Sequence, residues 1–585
     1  MGRDHEQMNW RQRIRRWWRD YEIIVIWTVA GVAYLLGCWG FALYAYQANE
    51  PLTVSEILFR SLQLFVLHGE SFVGPIPWQL DLSQFLAPAA SGLTAIAALG
   101  ELFRHRLQLL WLRLRPPHTV VCGLGRKGLQ LVRELIASGK KVVVIEPDEQ
   151  NDYIEICRDL GAVVLVGDGT ETEILEQARA HYARQVFAVC GNDGINVEIA
   201  VRIFGLRESP SFEKASRLEC WLHIVDPILC QALKSNRMFH NEAGNFSLGI
   251  TNLFENSARE LFQERPLDRE FIRAGDPRSV HLVIVGFGQM GQAVALQAAK
   301  IGHFANGRKL RLTILDREAN GQQLRLLARY PRFANVCDIQ FIQSDFEVGD
   351  IFRQLQQWGK SQDTLLSIAI CLDNDSLSLR CALILAGQLE GTNVPLYVRM
   401  EEEAGLASLL NYRHKTSKLL EYVHPFGQIN LSSTLGKWTN REQDDLAKQI
   451  HERFFEQRTA KGILTDDSSV REWRKLDELH RDSNRQFADH LPVKLRAIRC
   501  VIDKTGKDEQ PVTIFSRPEV ELLEKMEHAR RDAERDLGGI QKYNYDLVEL
   551  IPELVHSTSQ QIYRAAKLPR PDIANLGGKQ SMNCA

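Results

Sequence analysis

Residues 119–148 read TVVCGLGRKGLQLVRELIASGKKVVVIEPD, and this stretch decides the fold. Its apolar start is typical of a short buried strand, and the later apolar residues recur at the three- and four-residue spacing of a helix. Three glycines stand between the two patterns: Gly123, Gly125 and Gly128. A second strand, VVVIE, ends on Glu146. Strand, Gly-x-Gly-x-x-Gly, helix, strand and acidic end together predict a Rossmann-type unit.

The glycine spacing has a chemical purpose in such units. The first glycine makes a tight turn, the second lets a pyrophosphate approach the backbone, and the third lets the helix pack on the strand. The start of the helix, beside Arg126, attracts an anion. Glu146 follows Gly128 by 18 residues and can accept both ribose hydroxyls, which disfavours NADP. The alternatives are a tight turn that binds nothing and a solvated strand end.

The residues that follow resemble one family. GAVVLVGDGT (161–170) and VFAVCGND (186–193) are similar to the TrkA-N/RCK domain, the regulator of potassium conductance in bacterial channels and transporters. The resemblance implies that Asp168 and Asn192 or Asp193 lie near the ligand. It also implies that NAD or an adenine nucleotide (ATP, ADP or AMP) binds as a regulator and is not consumed.

The whole unit recurs farther along the chain. HLVIVGFGQMGQAVALQAAKIG (281–302) repeats the strand, the glycines and the helix, and two acidic residues follow. The candidate site residues of this copy are Gly286, Gly288, Gly291, Asp316 and Asp345. Duplicated domains at 116–275 and 279–435 are therefore expected, because solenoid repeats have shorter periods. Whether the second site holds a ligand is left open.

The first part of the chain carries the pattern of a membrane protein. Residues 23–46 contain no charge and are longer than the about 20 residues that a bilayer requires. A second apolar stretch predicts a span at about 82–103. Arginines are concentrated in residues 1–20 and after the second stretch, whereas the segment between them is mainly acidic. The positive-inside rule then predicts two passes through the cell membrane, with both termini cytoplasmic.

The segment between the two spans, 55–78, resembles a pore loop. Its first half has helical periodicity, and the pattern breaks at His68, Gly69 and Glu70. Backbone that is not helical survives at membrane depth only when it lines a pore or is buried in protein. The alternative is an amphipathic helix outside the membrane. The potassium filter sequence TVGYG is absent, so this segment predicts no ion selectivity.

Two further helical regions are expected. Residues 246–270 are amphipathic and resemble the crossover helix by which RCK lobes pair, with an ordinary linker helix as the alternative. Helices at 444–462, 473–498 and 521–539 make 440–570 a predicted all-α module, followed by a tail at 571–585. The module at 440–570 resembles the RyR domain of ryanodine receptors. In that family a loop follows the second helix, and this loop is missing from the present sequence. A packing or assembly module is the alternative.

Two pairs of neighbouring polar residues in this module could suggest a metal site: His451 with Glu452, and Glu527 with His528. Adjacent helical positions point to different faces, so we interpret these residues as solvated. The 11 cysteines include no CxxC pair, which argues against zinc and against a disulfide framework. A net charge of -2 gives no case for a nucleic-acid partner.

The expected fold is a two-span membrane α unit with tandem Rossmann-like parallel-sheet domains and a small all-α module. The expected function is a nucleotide-regulated cation channel, with potassium as a candidate ion. Nucleotide binding would act on the pore through the short linker at 113–117. The resemblance implies a homotetramer. A membrane-anchored sensor that does not conduct is the alternative. An NAD-dependent dehydrogenase is disfavoured, since no acid–base constellation follows either Rossmann unit.

Overall fold

In the computed structural model the chain forms two compact units, 1–116 and 117–585. The described residues are 10–48, 52–66, 75–95, 118–208, 216–226, 229–230, 232–233, 246–344, 350–400, 421–427, 441–460, 471–473, 476, 478–503, 512–538, 551 and 561–564. The predicted pore residues His68, Gly69 and Glu70, the linker at 113–117 and Asp345 lie outside these residues.

The first unit is helical. It contains α1 (Trp10–Ala48), α2 (Val54–Gln63), a 3-10 turn (Leu64–Val66) and helical residues 78–95, here α3. Thr53 and Glu56 form a reciprocal capping box at the start of α2. A small apolar cluster holds the helices together, and its buried members are Ala33, Phe41, Leu64, Leu80 and Ala87.

Close contacts join α1 to α3. A Cβ on Gly40 would lie 2.6 Å from the backbone nitrogen of Leu80, so only a glycine permits this approach. Nearby, the buried Ser83 hydroxyl donates to the Ala33 carbonyl at 2.7 Å. Small residues at contacts and hydroxyl bonds between helices are both typical of helix pairs in membranes.

One helix among the described residues is long and apolar enough to cross a membrane, at Ile24–Gln47. It agrees with the predicted span 23–46. Of the predicted span at 82–103, residues 82–95 are helical and the rest lies outside the described residues.

The first Rossmann-like domain contains a six-stranded parallel sheet. The strands are β1 (Thr119–Cys122), β2 (Val142–Glu146), β3 (Val163–Val166), β4 (Gln185–Ala188), β5 (Leu218–His223) and β6 (Phe246–Thr251). The helices are α4 (Arg126–Ala137), α5 (Tyr153–Leu160), α6 (Thr172–Gln177) and α7 (Asp193–Arg207), with a 3-10 turn at Ala180–Tyr182. The strand order is β3-β2-β1-β4-β5-β6, in which the order reverses between β1 and β4. Ligands bind at that reversal in such sheets.

The second domain repeats this topology. Its strands are β7 (Ser279–Val285), β8 (Arg311–Asp316), β9 (Asp338–Gln343), β10 (Thr364–Ile370), β11 (Leu396–Arg399) and β12 (Val423–Phe426). Its helices are α9 (Gln289–Ile301), α10 (Ala319–Arg329), α11 (Phe333–Val336), α12 (Asp350–Lys360) and α13 (Asp375–Gln388). The order β12-β11-β10-β7-β8-β9 is that of the first sheet. The prediction of two parallel-sheet Rossmann-like domains is confirmed.

The segment 246–270 is only partly helical, contrary to the sequence expectation. Its first residues form β6, which pairs in parallel with β5, and its helix α8 covers Leu253–Glu264. The amphipathic pattern belongs to α8, whose buried residues Ala258 and Leu261 join the core of the second domain. The strand was missed because a short apolar run fits strand and helix equally well.

The C-terminal region is not purely α-helical. Its helices are α14 (Arg441–Ala460), α15 (Glu478–Ala497) and α16 (Arg517–Asp536), close to the predicted ranges. Strands β13 (Cys500–Asp503) and β14 (Gln561–Arg564) form an antiparallel pair in addition. The buried residues of these helices belong to the same apolar cluster as β7 and α9. The resemblance to the RyR domain receives no support from this arrangement.

The expectation of solvated polar pairs in these helices is wrong for His451 and Glu527, which are buried, and holds for Glu452 and His528. Glu527 accepts from Lys494 at 2.5 Å and from Arg530 at 2.7 Å. Burial lowers the pKa of Lys494 to about 8. Burial alone would raise the pKa of Glu527, but the charges of Arg530 and Lys494 hold it well below its usual range.

Candidate functional site

The glycine loop after β1 has the geometry that its spacing predicts. Gly123 has φ +98°, a left-handed conformation that favours glycine. A Cβ on Gly128 would lie 2.1 Å from the Gly123 carbonyl oxygen, so the start of α4 packs directly on the loop. In contrast, no heavy atom of the described residues lies within 4 Å of the position that a Cβ on Gly125 would take. The space in front of Gly125 is open to a ligand.

Glu146 lies at the carboxyl end of β2 and is buried. Its carboxylate accepts from the backbone N–H of Leu124 at 2.6 Å and from that of Asp148 at 3.2 Å. These bonds hold the carboxylate against the glycine loop. A carboxylate offers about four acceptor positions, so two N–H donors leave capacity for hydroxyl groups.

The residues that the resemblance implied follow the carboxyl ends of β3 and β4, which lie at the same edge of the parallel sheet. Asp168 follows β3 and accepts from the backbone and the hydroxyl of Thr170, each at 2.8 Å. Asn192 caps α7 by accepting from the N–H of Gly194 at 2.8 Å. Asp193 instead accepts from the N–H groups of the chain after β5, at 2.9 and 2.7 Å. The sequence left Asn192 or Asp193 open; both line the cleft described next.

A cleft of about 1460 Å³ joins these groups. The cleft is lined on one side by Gly123, Gly125, Arg126, Glu146 and Asp168. Its opposite wall comes from α8 and from the second domain: Phe254, Gln289, Gln292, Leu296, Leu326, Arg329 and Tyr330. This wall was not predicted, because its residues follow the glycine loop by more than 100 positions. Only the packing of the domains brings them near the loop. Burial raises the pKa of Tyr330 to about 12, so the phenol stays protonated.

A lysine in the motif was also overlooked. The ammonium of Lys127 donates to His223 Nε2 at 2.8 Å and lies 4.4 Å from the centre of the Phe254 ring. Burial, followed by the charge of Lys127, lowers the pKa of His223 to about 3. The ring is therefore neutral, and its Nδ1 faces the Thr251 carbonyl at 3.3 Å. A lysine inside a glycine motif was the available sequence signal.

Asn196 is a second residue that the sequence analysis missed. Its side chain is fully buried. The amide oxygen accepts from the N–H of Cys190 at 2.8 Å, and the amide nitrogen donates to the carbonyls of Cys190 and His223 at 3.0 and 2.9 Å. It thereby joins the ends of β4 and β5 beside the cleft. Only the fold shows that this asparagine faces inward.

The second glycine loop has the same local geometry. Gly286 has φ +86°, and a Cβ on Gly291 would lie 2.2 Å from the Gly286 carbonyl oxygen. Asp316 accepts from the N–H of Phe287 at 2.7 Å and from that of Glu318 at 2.8 Å, as Glu146 does in the first copy. The predicted residues of this loop are thus together, apart from Asp345, which lies outside the described residues.

The second copy differs in charge, however. The carboxylate of Asp373 lies 3.5 Å from the position that a Cβ on Gly288 would take, and it pairs with Arg399 at 2.5 Å. An anionic group beside this glycine opposes a phosphate, which would need the same space. The second loop thus has an ion pair beside it, where the first loop has open space beside Gly125.

Cys190 lies beside the first loop. Burial raises the pKa of the Cys190 thiol to about 12, so it is no nucleophile at neutral pH. Within the described ranges, no group of three or more His, Cys, Asp or Glu side chains is placed to hold a metal ion. What the geometry does provide is a set of acceptors for ribose and an open approach to backbone N–H groups.

The fold and this loop define a protein with tandem Rossmann-like parallel-sheet domains. More particularly, residues 119–211 match the model of the TrkA-N domain. The chain is 33% identical over 168 residues to the glutathione-regulated potassium-efflux system protein KefC of Enterobacter sp. (strain 638), covering 26% of this chain and 27% of that protein. It is 31% identical over 118 residues to the Trk system potassium uptake protein TrkA homolog of Methanothermobacter thermautotrophicus, covering 19% of this chain and 54% of that protein.

These matches therefore span about a quarter to half of the relatives' lengths. Among solved structures, the GsuK channel bound to NAD is 12% identical, with a TM-score of 0.38, covering 73% of this chain and 85% of that chain. GsuK bound to ADP is 14% identical, with a TM-score of 0.37, covering 72% of this chain and 98% of that chain. The chain thus contains a TrkA-N domain and has relatives in potassium transport.

Proposed function

We propose that this protein is a nucleotide-regulated cation channel of the cell membrane, with potassium as its ion. In this proposal, the first Rossmann-like domain binds NAD or an adenine nucleotide, which regulates the pore and is not consumed. The observation that carries the proposal is the cleft of about 1460 Å³ that brings the glycine loop and Glu146 together in a TrkA-N domain.

The cleft suits a nucleotide in three ways. The open space before Gly125 admits a pyrophosphate to the start of α4, and the N-terminus of a helix attracts anions. Glu146 and Asp168 provide carboxylates for ribose hydroxyls. The apolar Leu296 and Leu326 on the opposite wall offer contacts for a base. A ribose 2′-phosphate would meet the Glu146 carboxylate, so NAD is preferred over NADP.

The transport role rests on the relatives and on the first unit. The KefC and TrkA relatives are named as potassium-efflux and potassium-uptake proteins. In this chain, α1 can cross a membrane, and α3 packs against it through glycine and serine contacts. We propose that α1 and α3 form a two-pass hairpin with both termini in the cytoplasm, and that four copies surround the pore.

A regulatory rather than an enzymatic role is part of the proposal. Hydride transfer needs a substrate pocket with an acid or base beside the cofactor. The histidine in this cleft, His223, is neutral, and its two ring nitrogens face Lys127 and a backbone carbonyl. The purified protein should therefore bind nucleotide without producing NADH or hydrolysing ATP. Steady turnover of either kind would contradict this expectation.

The second candidate is a membrane-anchored sensor that does not conduct. One specific observation favours it: the C-terminal helices share an apolar core with the second Rossmann-like domain, so they could present a ligand-dependent surface to a partner. The absence of the TVGYG filter from the sequence agrees with this candidate. The two candidates share the nucleotide site and differ only in conduction.

The decisive experiment measures ion flux into liposomes that hold the full-length protein. Potassium, sodium and chloride are tested, each with NAD, ATP, ADP, AMP or no ligand. Potassium flux that depends on a nucleotide supports the channel. Nucleotide binding in a calorimeter without flux of any ion would instead support the anchored sensor. Glutathione belongs in the ligand set, because the KefC relatives are named as regulated by it.

A further inference from the structure

The cleft wall carries an uneven distribution of charge. The acidic side chains that line it are Glu146, Asp168, Asp193, Asp226 and Glu255, and the basic ones are Arg126, Lys127 and Arg329. Arg329 lies 3.7 Å from Asp226 on the opposite domain. An anionic group entering this cleft is repelled from most of its wall and is attracted to the beginning of α4, where Arg126 and Lys127 stand together.

Lys127 is held in a defined position by uncharged rings. His223 Nε2 accepts from its ammonium at 2.8 Å, and the Phe254 ring centre is 4.4 Å away. Since His223 is buried and neutral, it orients the lysine without adding a charge of its own.

The duplicated domain supplies an internal comparison. Met290 occupies the position between the second and third glycines that Lys127 occupies in the first copy. Arg399 at the end of β11 corresponds to His223 at the end of β5. Arg399 pairs there with Asp373, next to Gly288. The first copy thus places a cation where the second copy has a thioether, and the second copy has an acid near its glycine loop.

We propose that Lys127 is a phosphate-binding residue that gives the cleft its preference for ligands with a pyrophosphate, and that His223 positions it. This inference rests on the proposed nucleotide site and adds a residue and a ligand class to it. ADP and NAD share the pyrophosphate, whereas AMP has one phosphate and adenosine has none. Lys127 therefore distinguishes ADP and NAD, which have a pyrophosphate, from AMP and from adenosine.

The test compares Lys127→Met with the wild-type full-length protein in detergent, by calorimetric titration with adenosine, AMP, ADP and NAD. Lys127→Met reproduces the residue found in the second copy. A hydrogen bond to a charged group contributes about 1.5–3 kcal/mol, so ADP and NAD affinities should fall by about ten- to a hundred-fold. The affinity for adenosine should stay the same, because it carries no phosphate.

The matched control is Lys140→Met. Lys140 follows α4 and donates to Gln185 at 2.8 Å, outside the cleft. The Lys140→Met substitution removes the same charge as Lys127→Met and should leave the affinities for all four ligands unchanged. Lys127→Gln is the second variant if Lys127→Met does not fold, and it should show the same order of losses. His223→Leu, which removes the acceptor of Lys127, should weaken ADP more than adenosine.

Three results would overturn the inference in distinguishable ways. Unchanged ADP affinity in Lys127→Met would show that the lysine binds no phosphate. An equal loss for adenosine and ADP would show a structural role for Lys127 in the loop. Finally, wild-type protein that binds none of the four ligands would refute the nucleotide site itself, and the role of Lys127 would fall with it.

Discussion

Replacing Gly128 by alanine is the sharpest test of the glycine loop, because the structure provides a matched control three residues earlier. A Cβ on Gly128 would lie 2.1 Å from the Gly123 carbonyl oxygen. Nonbonded carbon atoms prefer separations of about 3.5–4.0 Å, so the start of α4 and the loop must move apart by more than about 1 Å. At Gly125 the corresponding space is open, and φ is −75°, which alanine adopts readily.

The two variants should therefore fail in different ways. Overpacking typically costs about 1–3 kcal/mol, so Gly128→Ala should lower the stability of the first domain by that amount. In a domain of about 150–250 residues, each kcal/mol of lost stability lowers the melting temperature by about 2–4 °C. Gly125→Ala should leave the melting temperature unchanged but weaken ADP binding, because its methyl group occupies the approach of the pyrophosphate.

Thermal unfolding followed by tryptophan fluorescence, with and without ADP, measures both effects in the full-length protein. A ligand that binds only the folded state raises the melting temperature in proportion to the logarithm of its concentration over Kd. The expected pattern is a lower starting temperature for Gly128→Ala and a smaller ADP-induced rise for Gly125→Ala. Equal stability of the two variants would refute the packing argument, and an undiminished rise for Gly125→Ala would refute the placement of the pyrophosphate.

Three further predictions concern buried ionisable groups. Glu146→Gln should weaken ADP binding about ten-fold or more by calorimetry, since it replaces a charged acceptor of ribose hydroxyls; unchanged affinity would mean that the ribose lies elsewhere. Asp489→Ala leaves Arg259 buried without the carboxylate that it contacts at 2.8 Å, so unfolding by denaturant should become easier by about 3–5 kcal/mol. Burial lowers the pKa of His281 to about 3 and that of His303 to about 4. The unfolded chain therefore binds more protons between pH 6.5 and about 4, and stability should fall as the pH decreases through that window; His281→Gln should reduce the slope.

The parallel sheets could be predicted because their signals are local in the chain. Strand, glycines, helix and acidic strand end occur within 30 residues, and each is specified by neighbours a few positions away. The second domain could be predicted for the same reason. It repeats the same order of elements, with Gly286 and Asp316 in place of Gly123 and Glu146. The errors fell where a local pattern is ambiguous: the strand β6 inside an amphipathic segment, and the strands β13 and β14 beside three helices.

Buried polar residues could not be predicted, since burial depends on what packs against a helix. His451 and Glu527 lie among charged residues and read as solvent-exposed. The structure instead buries both, and Glu527 is surrounded by Lys494 and Arg530. Charged side chains are rarely buried unless they are paired, and the partner of Glu527 on α15 is 33 positions away.

The sequence by itself determined the two Rossmann-like domains, the glycine loops and the acidic strand ends, because these are set by backbone conformation and hydrophobic period over short distances. Only the tertiary structure decided which side chains share the cleft. Lys127 meets His223 across 96 positions, and Arg329 and Tyr330 reach the same cleft from another domain. Such contacts depend on how whole domains pack, for which a short stretch of sequence carries no signal.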